Sequence, residues 1–257
     1  MAERSYLSRR KNVYWHSVLD STNLEGKRLF SSGAPDGTVI IAAQQSAGRG
    51  RMGRIFQSAQ GLGLYLSILW RWDGETKELL ALPALGAVAA ARAVENVCSL
   101  SPEIKWPNDL VLRGRKLAGI LCESVVLGAE TAVILGIGIN VGHTAEDFEG
   151  EVAGIATSLA MEGKRVCVEE LAGEVVRQLD ELRGRILTQP QLWREEYRRR
   201  CLTPGRDVRL ICGEEQMPAT ALDVDEEYGL VVRLDSGEVR TVRAGEVSVR
   251  GLYGYAP

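Results

Sequence analysis

The sequence has few of the residues from which metal clusters and disulfide frameworks are built. Its 257 residues include five cysteines and two histidines, and no two cysteines are spaced as a Cys-x-x-Cys pair. Neither a zinc cluster nor a disulfide framework is therefore expected. An odd number of widely spaced cysteines is typical of a reducing compartment. We accordingly predict a cytoplasmic protein that holds no structural metal.

Long apolar segments and a strong charge imbalance are also missing. The longest apolar stretch, residues 79–91, contains Pro83 and ends at Arg92. It is shorter than the roughly 20 residues that a membrane-spanning helix needs. The first twelve residues carry charges but no apolar core of a secretory signal. The formal net charge of −3 provides no general attraction for nucleic acid, so composition argues against membrane and DNA partners.

The pattern of the chain changes near residue 203. Before it, apolar and amphipathic stretches predict strands at 38–43, 62–70 and 132–141, and helices after Asn23 and at 75–97, 168–187 and 191–200. Pro83 should kink or delay the helix at 75–97. From Asp207 onward, five short alternating segments predict a small β-barrel. From Cys201 onward six arginines accompany ten acidic residues, so we predict one domain over 1–202 and a second over 203–257.

The most unusual segment is a loop predicted over residues 45–58, in which glycines alternate with arginines. Its centre reads Gly48-Arg49-Gly50-Arg51-Met52-Gly53-Arg54. Three guanidiniums can converge on one anion, and glycine lets backbone N–H groups approach a phosphate closely. The alternative is a solvated basic loop or a nucleic-acid patch. Two predicted buried strands flank the segment, and its first aromatic residue is Phe56, which argues against that alternative.

A second cluster consists of residues 105–110, KWPNDL, followed by residues 115–120, RKLAGI. A single lysine is usually a surface residue. Lys116, however, precedes a close-packing apolar run, which predicts a strand directed into the core and a point charge suited to a phosphate or carboxylate. Asn108 and Asp109 after Pro107 also fit a simple turn.

Amides and hydroxyls complete the set of candidate residues. Ser21, Thr22 and Asn23 fit either a helix cap or a ligand site, and Asn140 ends a predicted strand. Neither histidine has an evident nucleophile beside it, and the Walker and G-x-G-x-x-G signatures are absent. Together, the cations, backbone N–H donors and amides indicate a site that stabilises the negative charge that develops during a reaction, as phosphoryl or nucleotidyl transfer requires.

The order of these motifs resembles that of the biotin–protein ligases, also called biotin–[acetyl-CoA-carboxylase] ligases. The matching segments are DSTN at 20–23, QQSAGRGRMGR at 44–54, LYLSILW at 64–70, KWPNDL at 105–110, RKLAGIL at 115–121 and GIGINV at 136–141. The resemblance runs from about residue 14 to residue 250. It implies an α+β fold in which a mixed β-sheet flanked by helices, akin to class II aminoacyl-tRNA synthetase cores, forms a catalytic domain over 1–202. It also implies an SH3-like C-terminal barrel over 203–257.

The resemblance further implies a two-step reaction. Biotin attacks the α-phosphate of ATP, with Mg²⁺, to give biotinyl-5′-AMP and pyrophosphate. A lysine of the biotin carboxyl carrier protein of acetyl-CoA carboxylase then takes the biotinyl group and releases AMP. Shielding the adenylate from water would suit this chemistry.

The roles that the resemblance assigns can be stated residue by residue. Ser21, Thr22, Asn23 and Gln45 should hydrogen-bond biotin. Arg49, Gly50 and Arg51 should wrap the intermediate, and Lys116 should contact the biotin carboxylate and the adenylate phosphate. Lys116 and Arg51 should act as the catalytic cations. Arg54, Lys105 and Asn140 should bind ATP. Asp109 should orient Mg²⁺ or accept a proton. The loop at 45–58 should close over the adenylate as a lid.

Two departures from the family pattern stand out. The family commonly has tryptophan soon after GRGRxGR, whereas Phe56 stands here without an indole N–H. Bifunctional members begin with a DNA-binding helix-turn-helix domain, and barely 15 residues precede Trp15 and His16 here. The expectation is therefore a monofunctional ligase without operator DNA, either a monomer or a homodimer. The alternatives are a lipoate–protein ligase or lipoyl transferase and, more remotely, a nucleic-acid-binding module that uses the arginine loop.

Overall fold

Seven strands form a mixed sheet in the first part of the chain. The computed structural model describes residues 6–185, 188–243 and 248–251. The strands are β1 (Val13–His16), β2 (Thr38–Ala42), β3 (Gly63–Trp72), β4 (Glu103–Lys105), β5 (Asp109–Leu112), β6 (Arg115–Leu127) and β7 (Glu130–Asn140). Their order across the sheet is β1-β2-β3-β7-β6-β5-β4. Only β1 and β2 pair in parallel among these neighbours.

Four helices accompany this sheet. They are α1 (Thr22–Ser31), α2 (Leu82–Cys98), α3 (Val168–Arg185) and α4 (Pro190–Arg200). Pro83 lies in the first turn of α2, after a 3₁₀ turn over Thr76–Ala81. Of the two predicted effects of this proline, a kink or a delayed start, the structure shows the delayed start. Residues Glu78–Cys98 are long and apolar enough to cross a membrane, but 61% of their most apolar window is buried inside the fold. α2 packs against the sheet, α3 and α4, which is the environment of a core helix.

Within the described part of the chain, five antiparallel strands form a second sheet. They are β8 (Asp207–Cys212), β9 (Glu215–Val224), β10 (Leu230–Leu234), β11 (Val239–Val242) and β12 (Ser248–Gly251), in the order β11-β10-β9-β8-β12. Apolar side chains alternate inward, so the predicted number and position of strands are confirmed. Closure into a barrel is not observed over the described residues, because β11 and β12 form the two edges of this sheet.

The two sheets share one hydrophobic core. A single cluster of buried residues extends from Leu7 in the N-terminal part to Val249 in β12. Trp106, Trp193 and Tyr197 are almost fully buried within it. The predicted boundary at 202/203 falls where Leu202 N–H donates to the carbonyl of Ile104 at 3.0 Å. The α+β class is confirmed, and the division into two domains stays a prediction.

Two local expectations are refined by the structure. Residues 45–58 are irregular as predicted, except for one 3₁₀ turn at Arg51–Gly53, where Met52 has a φ of +56°. The strand predicted at Lys116 is present as β6, which spans 13 residues. β6 is long because it pairs with β7 along its length, from Ala118 to Leu127.

Candidate active site

Two adjoining cavities are lined by the arginine-rich loop and by the central strands. The smaller cavity, here the polar slot, has about 310 Å³ of open space and is lined by Ser21 and the first two residues of α1, by Gln45 and Tyr65, and by β7 residues 136–138. The larger cavity, here the cationic cleft, has about 950 Å³ and is lined by the loop, residues 105–109 and Lys116. The two share a common border formed by Arg49, Phe56, Gly119 and Leu121.

Hydrogen bonds between α1 and its neighbours build the polar slot. Ser21 occupies the N-cap position of α1, but its side chain makes no capping hydrogen bond. Thr22 donates to Gln45 Oε1 from its backbone N–H at 2.8 Å and from its hydroxyl at 3.1 Å. Ser67 Oγ lies 2.7 Å from both Thr22 Oγ1 and Asn23 Oδ1. The slot is therefore a preformed set of neutral donors and acceptors.

Two glycines of β7 make room for side chains of the slot. A Cβ on Gly136 would lie 2.2 Å from Asn23 Oδ1, and one on Gly138 would lie 2.7 Å from the Phe56 ring. Such distances are far below van der Waals contact, so larger residues would displace the amide or the ring. The glycines of GIGINV thus shape the slot, which the sequence alone did not reveal.

Glu123 connects the slot to the cleft. Its carboxylate accepts hydrogen bonds from Asn23 Nδ2 at 2.9 Å and Lys27 Nζ at 2.7 Å, and Arg49 lies 3.4 Å away. Burial opposes ionisation, but Lys27 and Asn23 hold the pKa of Glu123 below its usual value. An ionised carboxylate therefore anchors the arginine loop at this border, and sequence reasoning did not single it out.

The cationic cleft gathers the predicted basic residues around one carboxylate. Lys116 Nζ lies 2.8 Å from Asp109 Oδ1. Lys105 is only 5% exposed and lines the cleft. Arg51 donates from Nη1 to Asn108 Oδ1 at 3.3 Å. Burial lowers the pKa of Arg51, with Asp109 acting in the opposite direction. Cations held in such a desolvated place attract an anion strongly.

Asn140 lies outside the lining of both cavities. Its side-chain amide is buried and donates to the carbonyl of Thr157 at 2.9 Å. The Thr157 N–H donates to the carbonyl of Lys116 at 2.8 Å, and the Lys116 N–H donates to the carbonyl of Ile155 at 2.7 Å. In this structure Asn140 therefore holds residues 155–157, which hydrogen-bond to the backbone of Lys116.

The other predicted residues come together at the two cavities. Ser21, Thr22, Asn23, Gln45 and Arg49 line the slot, and Arg49, Gly50, Arg51, Arg54, Lys105, Asp109 and Lys116 line the cleft. Within the described ranges, no three His, Cys, Asp or Glu side chains form a potential metal-binding group. The arrangement suits an elongated ligand with a neutral polar end and an anionic end.

Comparison with known proteins identifies the family of this chain. The model of the biotin/lipoate A/B protein ligase family matches residues 15–140, which include every predicted site residue. A Mycobacterium tuberculosis protein named biotin--[acetyl-CoA-carboxylase] ligase is 34% identical over 243 residues, covering 88% of this chain and 85% of that protein. The chain belongs to the biotin/lipoate A/B protein ligase family.

Other members of this family show the extent of the similarity. The bifunctional ligase/repressor BirA of Bacillus subtilis is 40% identical over 154 residues, or 58% of this chain. The match spans 46% of that relative, about half its length. A solved biotin protein ligase from Aquifex aeolicus, in complex with biotin and ATP, superposes with a TM-score of 0.78 and 28% identity. It covers 94% of this chain and 100% of that one, so the family fold extends over both sheets.

Proposed function

We propose that this chain is an ATP-dependent biotin–protein ligase. It activates biotin as biotinyl-5′-AMP and transfers the biotinyl group to a lysine of a biotin carboxyl carrier protein. The observation that carries the proposal is the common border of the neutral slot and the cationic cleft at Arg49 and Gly119. A ligand across this border has its uncharged head among amides and hydroxyls, and its phosphate among lysines and arginines.

The slot favours biotin over lipoate. The ureido group of biotin has one C=O and two N–H groups, which match the hydroxyls and amides of Thr22, Asn23 and Gln45. The dithiolane ring of lipoate has no such groups and would fill the slot without making hydrogen bonds to it. Sites built on hydrogen bonds discriminate strongly against such analogues.

The cleft supports the first chemical step. A biotin carboxylate that attacks the α-phosphate brings two anions together, and Lys116 with Arg51 offsets their repulsion. A new C–O–P bond forms, the bond to the β-phosphate breaks, and pyrophosphate leaves with the electron pair. Lys105 and Arg54 lie along the same cleft and bind the leaving phosphates.

The second step transfers the biotinyl group. The carrier lysine, as a neutral amine, attacks the carbonyl carbon of the mixed anhydride, and AMP leaves with the electrons of the broken C–O bond. The amine nitrogen loses one proton, which Asp109 accepts as the one carboxylate among the described residues that line the cleft. Closure of the arginine loop excludes water and so protects the adenylate from hydrolysis.

Magnesium enters with the triphosphate of ATP. Of the described residues that line the cleft, Asp109 is the one carboxylate. Mg²⁺ is commonly held by one or two carboxylates together with substrate phosphates, so this donor set fits the ion. When bound, Mg²⁺ supplies positive charge to the phosphate oxygens.

Two further observations bear on the compartment and on the partners of the protein. All five cysteines are free, which supports the cytoplasm as the site of the reaction. Arg49, Arg51 and Arg54 line the cleft, and Arg49 faces Glu123. The arginines therefore serve an internal anion, and we propose no nucleic-acid partner for them.

Pyrophosphate release tests this function. Purified protein with ATP and Mg²⁺ should release pyrophosphate when biotin is added, and should label a biotin carrier domain when that is added as well. Lipoate in place of biotin should give release no higher than the background without either acid. Equal release with the two acids would contradict the biotin assignment.

A further inference from the structure

The turn that carries Lys105 to Asp109 is held from behind by residues far along the chain. This segment, the KWPND turn (105–109), joins β4 to β5 and supplies Lys105, Asn108 and Asp109 to the cleft. Its two central residues, Trp106 and Pro107, bond to side chains that lie between residues 197 and 203.

Two hydroxyl groups make these contacts. The Tyr197 hydroxyl donates to the carbonyl of Pro107 at 3.0 Å, and Thr203 Oγ1 accepts from the Trp106 N–H at 3.0 Å. Tyr197 and Thr203 are both 0% exposed, and neither lines the slot or the cleft. Each buried hydroxyl thus fixes one backbone group of the turn without reaching the ligand.

Tyr197 is itself held in place by an ion-pair network on α4. Glu196, its neighbour, accepts from Arg92 Nε of α2 at 2.8 Å and from Arg200 Nε at 2.9 Å. Arg200 is only 8% exposed, so the network is largely protected from screening by solvent. The hydroxyl of Tyr197 therefore lies on a rigid support.

We propose that Tyr197 and Thr203 are positioning residues for the ligase reaction, which set the places of Lys105 and Asp109 through the backbone of the KWPND turn. The inference rests on the proposed function. Loss of either hydroxyl removes one hydrogen bond from a buried backbone group of the turn, although the Cys201 sulfur also accepts from the Trp106 N–H, and the turn shifts to recover the lost bond. A shift of about 1 Å in a charged side chain costs up to about 100-fold in rate, so about tenfold is expected for the smaller shift of one turn.

Two nearly isosteric substitutions test the inference, each with a matched control. Tyr197→Phe and Thr203→Val remove the two hydroxyls. Tyr228→Phe removes another phenol of the same cluster, whose ring lies edge-on to Tyr197 at 5.4 Å and whose hydroxyl bonds to Arg194. Thr38→Val removes a hydroxyl from another threonine of 0% exposure, which donates to the carbonyl of Pro35 at 2.7 Å.

Steady-state pyrophosphate release, thermal melting and amide hydrogen exchange are measured for all four variants. Tyr197→Phe and Thr203→Val should lower kcat about tenfold, with an unchanged KM for biotin, and should speed exchange at residues 105–110. The two controls should lower only the melting temperature. Wild-type kcat and exchange in the Tyr197→Phe and Thr203→Val proteins, or equal kcat losses in the controls, would overturn the inference.

The same experiment separates the inference from the proposed function. A wild-type protein without biotin-dependent release would refute the ligase activity. Hydrogen exchange then still decides whether the two hydroxyls hold the turn, since that readout needs no catalysis. Unchanged exchange would refute the positioning role in either case.

Discussion

The polar slot and the cationic cleft lie side by side but are built in different ways. The slot is made of neutral groups on α1, β3 and β7, and these groups already hydrogen-bond one another. The cleft combines the arginines of the loop with Lys105 of β4 and Lys116 of β6, and Lys116 faces Asp109 as Arg51 faces Asn108. The neutral groups thus bond one another in a fixed shape, whereas the charged groups have partners that an incoming anion can replace. Recognition and charge stabilisation should therefore fail separately when either half is altered.

The largest effect is expected from the cleft. Lys116→Met should lower the rate of biotinyl-AMP formation by about 100- to 1,000-fold, because it removes a cation from the point where two anions meet. Binding of biotin, measured by calorimetry, should change far less. Lys11→Met, at an exposed lysine remote from both cavities, is the control and should behave as wild type. A Lys116→Met protein with normal adenylate formation would remove this residue from the reaction.

An intermediate effect is expected from the slot. Thr22→Val keeps the shape of the side chain but removes the hydroxyl that bonds Gln45 and Ser67. The KM for biotin should rise about tenfold, while the KM for ATP stays constant. Thr188→Val at an exposed threonine serves as the control. Equal changes in both KM values would show that the two halves are not separable.

The smallest effect is expected on the stability of the folded protein in acid, through His143. His143 is 1% exposed and stacks on Phe148 at 5.1 Å, and burial lowers the pKa of His143 below 6.5 although Asp147 favours the charged form. The unfolded chain therefore binds a proton that the folded chain does not, so stability is complete above pH 6.5 and falls as the pH drops toward the lowered pKa. The slope is at most about 1.4 kcal/mol per pH unit.

His143→Phe isolates this contribution. Urea unfolding of wild type and variant between pH 7.5 and 5 should give a difference in the free energy of unfolding that shifts in favour of the variant as the pH falls. The carbonyl of His143 accepts from Ser158 Oγ, which adjoins the segment at 155–157 that pairs with Lys116, so amide exchange should increase there before it increases in the slot. A constant difference across this pH range would contradict the role of His143.

Local motifs were sufficient to predict much of the fold and most cavity residues. The arginine loop, Lys116 and the KWPND turn each have an unusual composition over a few residues, and the strands and helices follow apolar periodicity. Residues whose roles depend on contacts with distant parts of the chain have no such local motif. Ser67 meets Asn23 across 44 residues, and Glu123 meets Asn23 across 100. Each looks like an ordinary strand residue in the sequence.

Asn140 illustrates the opposite case. Its place at the end of a strand predicts a nucleotide contact, which stays a prediction, and in the structure its amide donates to the carbonyl of Thr157. A backbone carbonyl 17 residues further along competes for the same donor, and sequence spacing does not reveal that competition. The predicted strands of the C-terminal sheet are confirmed, whereas its closure into a barrel depends on pairing between the outer strands β11 and β12, which alternation alone does not predict.

The contacts of the KWPND turn also constrain the order in which the protein is made. Trp106 bonds to Thr203, 97 residues later, and to the carbonyl of Tyr228, 122 residues later. A ribosome adds residues at about 5–20 per second, so these partners emerge several seconds after the turn itself. The lysine and aspartate of the cleft therefore reach their final positions only after residues 203 and 228 have been made, when the second sheet packs onto the first.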